Sequence, residues 1–374
     1  FIAQNKTVDQ LIGNASDLAP GSDGLPSSEF DLESFGPGYR IGQAIGRGGM
    51  GTVYEAIRIS DNERVAVKVL NARTSLDTQH RKRFDRESQA IASLDHPHIV
   101  PLYSVGTSND TPFLIMKLID GVTLSDMIAQ RAEVRIPAAE CFEAAQRKND
   151  YFSTIVRLMA DVAGALEAAH QSNIIHRDIK PSNLLLDSQG KVWLTDFGLA
   201  SVGEGHATLT GTGDILGTPA FMSPEQAIGD HRLVNHRSDI YSLGATLYAL
   251  AALRNPYVGT GYQILRDVSE GPLTPPSRFR PDIPQDLEAM ILKAMSRNPV
   301  KRYASAAEFE NDLRRFVAGR SVKAKVPGFT DYALQWTTRN PRLTIAALSG
   351  LFATVLSVII IQLVVSHRLS GLND

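Results

Sequence analysis

A short polar stretch between two apolar runs restricts the fold of this chain more than any other feature. Residues 175–186 read IHRDIKPSNLLL, so charged and amide side chains stand between apolar ones. Buried charges are costly unless they are paired or hydrogen-bonded, so we expect a polar loop held against a hydrophobic core. In that loop Asp178 can accept a hydroxyl proton, and Asn183 can offer an oxygen to Mg²⁺, which prefers oxygen ligands.

A second acidic group follows in the triplet Asp196-Phe197-Gly198, one predicted hairpin turn (187–190) after Asn183. Asp196 supplies a carboxylate for a metal ion, and Gly198 lets the backbone turn. Such a triplet is common by chance, so its weight comes from its spacing to the polar loop.

Glycines dominate residues 46–53, which read GRGGMGTV. Glycines let backbone N–H groups approach phosphate oxygens closely. A strand is predicted directly afterwards, whereas a dinucleotide-binding fingerprint needs a helix there. An ordinary hairpin is the alternative interpretation of this motif taken alone.

Lys68 stands within the apolar alternation of 65–70, where an unpaired ammonium would be expensive. Glu87, on the next predicted helix, is its expected partner. The alternative is a lysine whose ammonium reaches solvent and a solvated glutamate.

The apolar pattern predicts an α+β fold in which a small strand-rich lobe precedes a larger helical lobe. Strands are expected at 39–45, 53–59, 64–70, 100–105 and 113–118, and helices at 79–94, 153–171 and 238–253.

Taken in order, these motifs resemble the set of the protein-kinase superfamily: glycine-rich loop, strand lysine, His-Arg-Asp loop and Asp-Phe-Gly. The resemblance runs from about Tyr39 to Phe316 and is closest to bacterial Ser/Thr kinases of the eukaryotic-like type, with 213–227 similar to planctomycete-type members. One departure is Ser223-Pro224-Glu225, where many kinases have Ala-Pro-Glu. The resemblance implies a bilobal kinase fold and transfer of the ATP γ-phosphate to protein Ser/Thr hydroxyls.

Catalytic roles are implied by the same resemblance. Asp178 would orient and deprotonate the substrate hydroxyl, and Lys180 would steady the transferred phosphate. A lysine at this position is typical of Ser/Thr kinases rather than tyrosine kinases. Lys68, held by Glu87, would contact the α- and β-phosphates of ATP.

Cofactor sites are implied as well. Asn183 and Asp196 would hold Mg²⁺, with Mn²⁺ as the alternative ion. Met116 looks like the gatekeeper, and 117–119 like the hinge between the lobes. The implied nucleotide-binding residues are Ile45, Gly46, Arg47, Gly48, Gly49, Met50, Gly51, Val53, Ala66, Lys68, Met116, Leu118 and Leu185.

Supporting residues are implied around this centre. Asp239 would brace the catalytic loop, and Arg302 should pair with Glu225. A column that links the lobes, or else plain core packing, would consist of Ile91, Leu102, His176 and Phe197.

Arg177 resembles the arginine that grips a phosphorylated loop in many kinases. Autophosphorylation of the activation loop is the resulting hypothesis, and its candidate sites are Thr208, Thr210 and Thr212. A homodimer that carries out this reaction in trans would fit.

Residues 344–365 carry no charge and have the length of a transmembrane helix; a buried helix is the alternative. Arginines are denser before this segment than after it, which places the kinase domain in the cytoplasm at the inner membrane, crossed once. The expected organisation is a flexible leader (1–38), a kinase domain (39–316), a basic juxtamembrane linker (317–343), the transmembrane helix (344–365) and a short extracytoplasmic tail (366–374).

Composition excludes several other classes. The 38 Lys+Arg and 40 Asp+Glu residues do not favour a nucleic-acid groove, so protein substrates and the membrane are the expected partners. The single cysteine, Cys141, cannot form an internal disulfide or a zinc cluster. No signal peptide is recognisable, and residues 131–150 form an insertion without an assigned role.

Two rival functions stay open at this level. A nucleotide-binding pseudokinase scaffold would lack Lys68, Asp178, Asn183 or Asp196, and all four are present. A dinucleotide-dependent oxidoreductase would need a helix after the glycines.

Overall fold

The computed structural model describes residues 38–48, 51–70, 86–108, 111–132, 148–197, 219–230 and 232–325, together with short helical stretches between 344 and 362. Several predictions concern residues outside these ranges: the leader, Gly49, Met50, Gly198, most of the 131–150 insertion, the three candidate threonines, most of the linker and the tail.

The N-terminal lobe is built on one antiparallel sheet in the order β1-β2-β3-β5-β4. Its strands are β1 (Tyr39–Gly48), β2 (Gly51–Arg58), β3 (Glu63–Leu70), β4 (Leu102–Ser108) and β5 (Thr111–Lys117). The predicted turn between β2 and β3 is present, with Asn62 in the left-handed region at φ 58°, a conformation that asparagine tolerates well. Helix α1, described over 86–92, stands between β3 and β4.

Alternation along β3 assigns its side chains to two different cores. Val65, Val67 and Val69 pack with Ala56 and Ile115 in a small core on one face of the sheet. Leu70 belongs instead to the main core, which continues into the helical lobe. Because successive strand residues alternate in direction, Lys68 shares the face of Leu70 and points toward the other lobe.

The C-terminal lobe is mainly helical, as predicted. Its helices are α2 (Leu124–Ala132), α3 (Lys148–Gln171), α4 (Pro224–Ala227), α5 (His236–Ala252), α6 (Gly261–Ser269), α7 (Gln285–Ala294) and α8 (Ala306–Val317). Helix α5 is buried at every position from Ser238 to Ala252, which explains why its sequence is apolar all round. Asn235 caps its first turn by accepting from the Arg237 N–H at 2.9 Å.

A second, three-stranded sheet lies next to the polar loop. It consists of β6 (Gly121–Thr123), β7 (Leu184–Asp187) and β8 (Val192–Leu194), in that order. A 3-10 turn at Pro181–Asn183 leads into β7. The β7–β8 turn uses Gly190 at φ 77°, where glycine is at ease. Because Leu184 at the start of β7 pairs with Leu194 at the end of β8, this small sheet carries the polar loop and Asp196 at the same end.

The start of the predicted linker lies against the C-terminal lobe. Asp312 of α8 is buried, and its carboxylate accepts the backbone N–H groups of Lys323 at 2.8 Å and Ala324 at 2.9 Å. The Tyr303 hydroxyl donates to the same carboxylate at 3.0 Å. Packed structure therefore continues beyond Phe316, at least as far as Ala324.

Helical residues recur between 344 and 362, and Ile360 and Ile361 are 51% and 62% exposed. Within the described ranges no helix is long and apolar enough to cross a membrane.

Two helix glycines offer a matched test of packing. A Cβ at Gly244 of α5 would lie 2.7 Å from the Ala294 Cβ, whereas a Cβ at Gly164 of α3 would meet only the Glu310 carboxylate at 3.3 Å. Both Gly→Ala changes gain up to about 1 kcal/mol of helix propensity, but overpacking costs about 1–3 kcal/mol. We expect Gly244→Ala to lower the free energy of unfolding of the full chain, and Gly164→Ala to leave it equal or higher, in urea denaturation. Equal effects of the two changes would contradict the packing described for α5.

Candidate active site

Asp178 is the centre of the polar loop. Its Oδ2 accepts from Lys180 Nζ at 2.8 Å and from Asn183 Nδ2 at 2.9 Å. The same Asn183 nitrogen also reaches the Asp178 carbonyl oxygen at 2.8 Å. Because the amide nitrogen is engaged by Asp178, the amide oxygen of Asn183 is the atom that can face a cation. The structure thus brings Asp178, Lys180 and Asn183 together.

Lys68 reaches across from β3 to Asp196. Its Nζ lies 2.6 Å from Asp196 Oδ1, and the lysine is only 7% exposed. A buried ammonium needs such a partner. Glu87 lies on α1 and is half-buried; its role in holding Lys68 stays a prediction.

Asp196 stands in an unusual backbone conformation, at φ 62°. The residue before it is tied to the polar loop, since the Thr195 N–H donates to the Asn183 carbonyl at 3.1 Å. The two predicted metal-binding residues are therefore linked through a single backbone hydrogen bond.

Asp239 of α5 holds the backbone of the polar loop, as predicted. Its carboxylate accepts the backbone N–H groups of His176 and Arg177, both at 2.8 Å. Arg177 has φ 69°, a conformation that costs free energy for a residue with a side chain. These two hydrogen bonds help to hold that conformation, and so they set the direction from which Asp178 leaves the loop.

His176 is fully buried and packs with Phe197, whose ring centroid lies 4.5 Å from its own. Burial lowers the pKa of His176, so the neutral imidazole is favoured. Its Nε2 lies 3.0 Å from the Thr195 carbonyl. Ile91 and Phe197 belong to the main core and Leu102 packs against it, so the four residues of the predicted column share one core.

Sequence reasoning missed two supporting residues. His170, at the end of α3, places Nε2 2.8 Å from Asp239 Oδ2, and no sequence pattern indicates this contact. Gln226 donates from Nε2 to the Arg177 carbonyl at 2.7 Å. The spacing of Ser223 and Gln226 matches a capping box, which could have located the start of α4 but not the contact with Arg177.

Glu225 and Arg302 form the predicted ion pair, and both residues are buried. Two contacts, of 2.7 and 2.8 Å, join the guanidinium to the carboxylate. The Ser238 hydroxyl donates to Glu225 at 2.6 Å. Burial alone would raise the pKa of Glu225, but the ion pair and the Ser238 hydrogen bond outweigh it and hold that pKa below its usual value.

The predicted nucleotide residues line up across the N-terminal sheet. Ala66 of β3 stands opposite Met116 of β5, and Val53 stands opposite Lys68. Gly51, at φ 155°, has no room for a side chain, because a Cβ would lie 2.1 Å from the Val69 carbonyl oxygen. The remaining described members of the set lie on β1 (Ile45, Gly46, Arg47, Gly48), after β5 (Leu118) and on β7 (Leu185).

A strand-rich lobe over a helical lobe, with a lysine–aspartate pair where they meet, is the architecture of two-lobed kinases. The chain belongs to the protein kinase domain family, whose model matches residues 39–312.

Named relatives agree with this assignment. The serine/threonine-protein kinase PknB of Mycobacterium leprae (strain TN) is 37% identical over 295 residues, which is 76% of this chain and 44% of PknB. The serine/threonine-protein kinase PrkC of Bacillus subtilis (strain 168) is 35% identical over 277 residues, or 74% of this chain and 40% of PrkC. This chain therefore spans less than half of the length of these relatives.

A solved structure shows the same fold. A crystal structure of the Mycobacterium tuberculosis PknI kinase domain superposes with a TM-score of 0.56 at 30% identity, covering 76% of this chain and 96% of that one.

The Glu225–Arg302 pair predicts a pH-dependent loss of stability. In Glu225→Gln the buried guanidinium loses its counter-charge, which should lower the free energy of unfolding by about 3–5 kcal/mol at pH 7. Because the folded pKa of Glu225 is depressed, its contribution is complete above the ordinary value of 4.5 and is lost as pH falls through the folded pKa. The difference between wild type and Glu225→Gln should therefore shrink in acid, as measured by urea denaturation of the full chain.

Glu310→Gln is the matched control, because it removes a carboxylate from the half-exposed Arg314. Exposed pairs contribute about 1 kcal/mol or less. A loss as large as that of Glu225→Gln, or a Glu225→Gln difference that does not change with pH, would contradict the prediction.

Proposed function

We propose that this chain is a serine/threonine protein kinase that transfers the γ-phosphate of ATP to hydroxyl groups of protein substrates. The observation that carries the proposal is the arrangement around Asp178, whose carboxylate meets Lys180 and Asn183 while Lys68 reaches Asp196 from the other lobe. The names of the relatives support the same activity, and Lys180 favours serine and threonine over tyrosine.

The proposed reaction uses few groups. Asp178 accepts the proton of the substrate hydroxyl, whose oxygen forms a bond to the γ-phosphorus as the bond to the β–γ bridging oxygen breaks and ADP leaves. Lys180, 2.8 Å from Asp178, is close enough to neutralise charge on the transferred group. Lys68 would meet the α- and β-phosphates. Positioning and charge neutralisation supply most of the rate in such transfers.

The oxygens of Asn183 and Asp196 fit a hard divalent cation. Mg²⁺ is usually held by one or two protein oxygens together with substrate phosphates, and among the described residues no three His, Cys, Asp or Glu side chains form an all-protein metal cage. When bound, Mg²⁺ (or Mn²⁺) would neutralise charge on the phosphates.

Asp178→Asn tests the catalytic assignment. The amide keeps the shape but cannot take the proton, so radiolabel transfer from ATP to a basic protein should fall by about 10²- to 10⁴-fold. Asp282→Asn is the control: it removes a carboxylate paired with Arg280, remote from the site, and should transfer label at the wild-type rate. Equal labelling by wild type and Asp178→Asn would favour the pseudokinase scaffold.

We also propose that activation-loop threonines are autophosphorylated, in trans within a homodimer. The Arg177 side chain could hold the modified loop. Mass spectrometry of the same wild-type and Asp178→Asn samples reads this out: phosphate on Thr208, Thr210 or Thr212 should appear only in the active protein.

A single membrane helix at 344–365, with the kinase domain in the cytoplasm, is the proposed attachment. The absence of charge from 344 to 365, the arginines before it and the helical, exposed isoleucines near its end support it. The similarity of 213–227 to planctomycete-type kinases supports a place in that group.

Membrane attachment predicts resistance to extraction. The full chain should stay with membranes through a high-salt wash and be released by detergent. Ala353→Lys with Leu356→Lys, near the middle of the segment, should free it, since each lysine at the centre of a spanning helix costs about 2.5–3.5 kcal/mol. Ile59→Lys, at a 53% exposed position after β2, should behave as wild type. Release of the wild type by salt alone would rule out the anchor.

A further inference from the structure

The indole of Trp193, in the three-stranded sheet, is held in one orientation by hydrogen bonding. Trp193 of β8 is only 8% exposed, and its Nε1–H donates to Asp187 Oδ2 at 2.8 Å. The other oxygen of Asp187 accepts the backbone N–H groups of Gln189 and Lys191, each at 2.9 Å. Asp187 therefore orders the β7–β8 turn and fixes the ring with one carboxylate.

Asp187 is suited to this task because it remains an anion. Burial alone would raise its pKa, but the hydrogen bonds from Trp193 and from the turn outweigh burial and lower the pKa.

Two lysines approach this indole from different parts of the fold. Lys191 Nζ lies 3.9 Å from the ring centroid, and Lys117 Nζ lies 4.8 Å from it. Both distances are within the range of a cation–π interaction. Lys191 belongs to the same hairpin as the indole, whereas Lys117 is the last residue of β5. Among the described residues Lys117 makes no ion pair with a carboxylate, so the indole is the partner of its ammonium.

The end of β5 is joined to β8 by further contacts. Thr195 Oγ1 lies 3.9 Å from the sulfur of Met116, the residue before Lys117. The Lys117 N–H donates to the Pro101 carbonyl at 3.0 Å, and the neighbouring Val100 N–H donates to the Leu194 carbonyl at 2.9 Å. The hinge thus begins at the end of β5, and this end is connected to β8, the strand that precedes Asp196.

We propose that Lys117 is a positioning residue, whose side chain clamps the hinge to Trp193 and so holds the hinge in register with β8, the strand that precedes Asp196. The inference deepens the proposed function, since the bound group is the nucleotide of that same site. The clamp affects nucleotide binding and not phosphoryl transfer. A hinge that is already held in place loses less conformational freedom when the adenine base of ATP binds against it.

Lys117→Met tests the clamp, because methionine keeps an unbranched apolar chain and removes the cation. The loss of a partly buried cation–π contact should raise the KM for ATP, and the Kd for a non-hydrolysable ATP analogue, by roughly three- to tenfold. The value of kcat should change by less than about twofold, since Asp178, Lys180 and Asn183 lie outside the clamp.

Lys191→Met is the matched control. It removes a cation from the same ring but leaves the hinge connected, so KM and Kd should stay near wild type. Lys117→Arg, which restores a cation over the ring, should return both constants to within about twofold of wild type. Melting temperatures of all variants separate a loss of folding from a loss of positioning.

The inference is overturned if Lys117→Met leaves the nucleotide Kd unchanged, or if Lys191→Met raises it equally. Calorimetric titration of the full chain with the analogue measures Kd without phosphoryl transfer. If wild type and Asp178→Asn transfer equally little label, the proposed catalytic function fails, while the response of Kd to Lys117→Met still decides the clamp.

Discussion

A single buried carboxylate, that of Asp239, carries the arrangement on which the site depends. It accepts the backbone N–H groups of His176 and Arg177 and lies 2.8 Å from His170 Nε2. An ionised carboxylate is expensive to bury, and hydrogen bonds of this kind are what offset the cost. Because α5 is buried along nearly its whole length, Asp239 cannot shift without moving the core. The position of the polar loop therefore depends on a helix that is buried along nearly its whole length.

Phosphoryl transfer depends on such rigidity more than on chemical reactivity of the protein. Asp178 can act only if its carboxylate faces the hydroxyl, and that direction follows from the left-handed conformation of Arg177 at φ 69°. Asp239 holds this residue from one side, and Gln226 holds its carbonyl from the other at 2.7 Å. Gln226 belongs to α4, whose Glu225 is in turn paired with Arg302. The loop is thus held by two polar connections, each anchored in a different part of the core.

The features predictable from sequence were those set by local pattern. Alternation placed Lys68 on β3, and the apolar runs around 175–186 located the loop, because burial constrains every residue there. Contacts between distant side chains were less accessible. The Asp239 and Arg302 contacts came only through resemblance to known kinases. His170 and Trp193 gave no signal, since a histidine at a helix end or a tryptophan in a strand has many ordinary uses.

The partner of Lys68 illustrates the limit most clearly. Sequence logic requires a counter-charge for a buried lysine and pointed to Glu87 of α1, whereas the contact with Asp196, in the segment after β8, was not predicted. In the structure Asp196 Oδ1 lies 2.6 Å from Lys68 Nζ. This position is possible because the Thr195 N–H donates a hydrogen bond to the Asn183 carbonyl and because Asp196 itself adopts φ 62°. The contact between Lys68 and Asp196 depends on how the two lobes meet, which is a property of the assembled main core. The Lys68–Asp196 ion pair therefore forms only at one relative position of the two lobes. The hinge controls that same relative position.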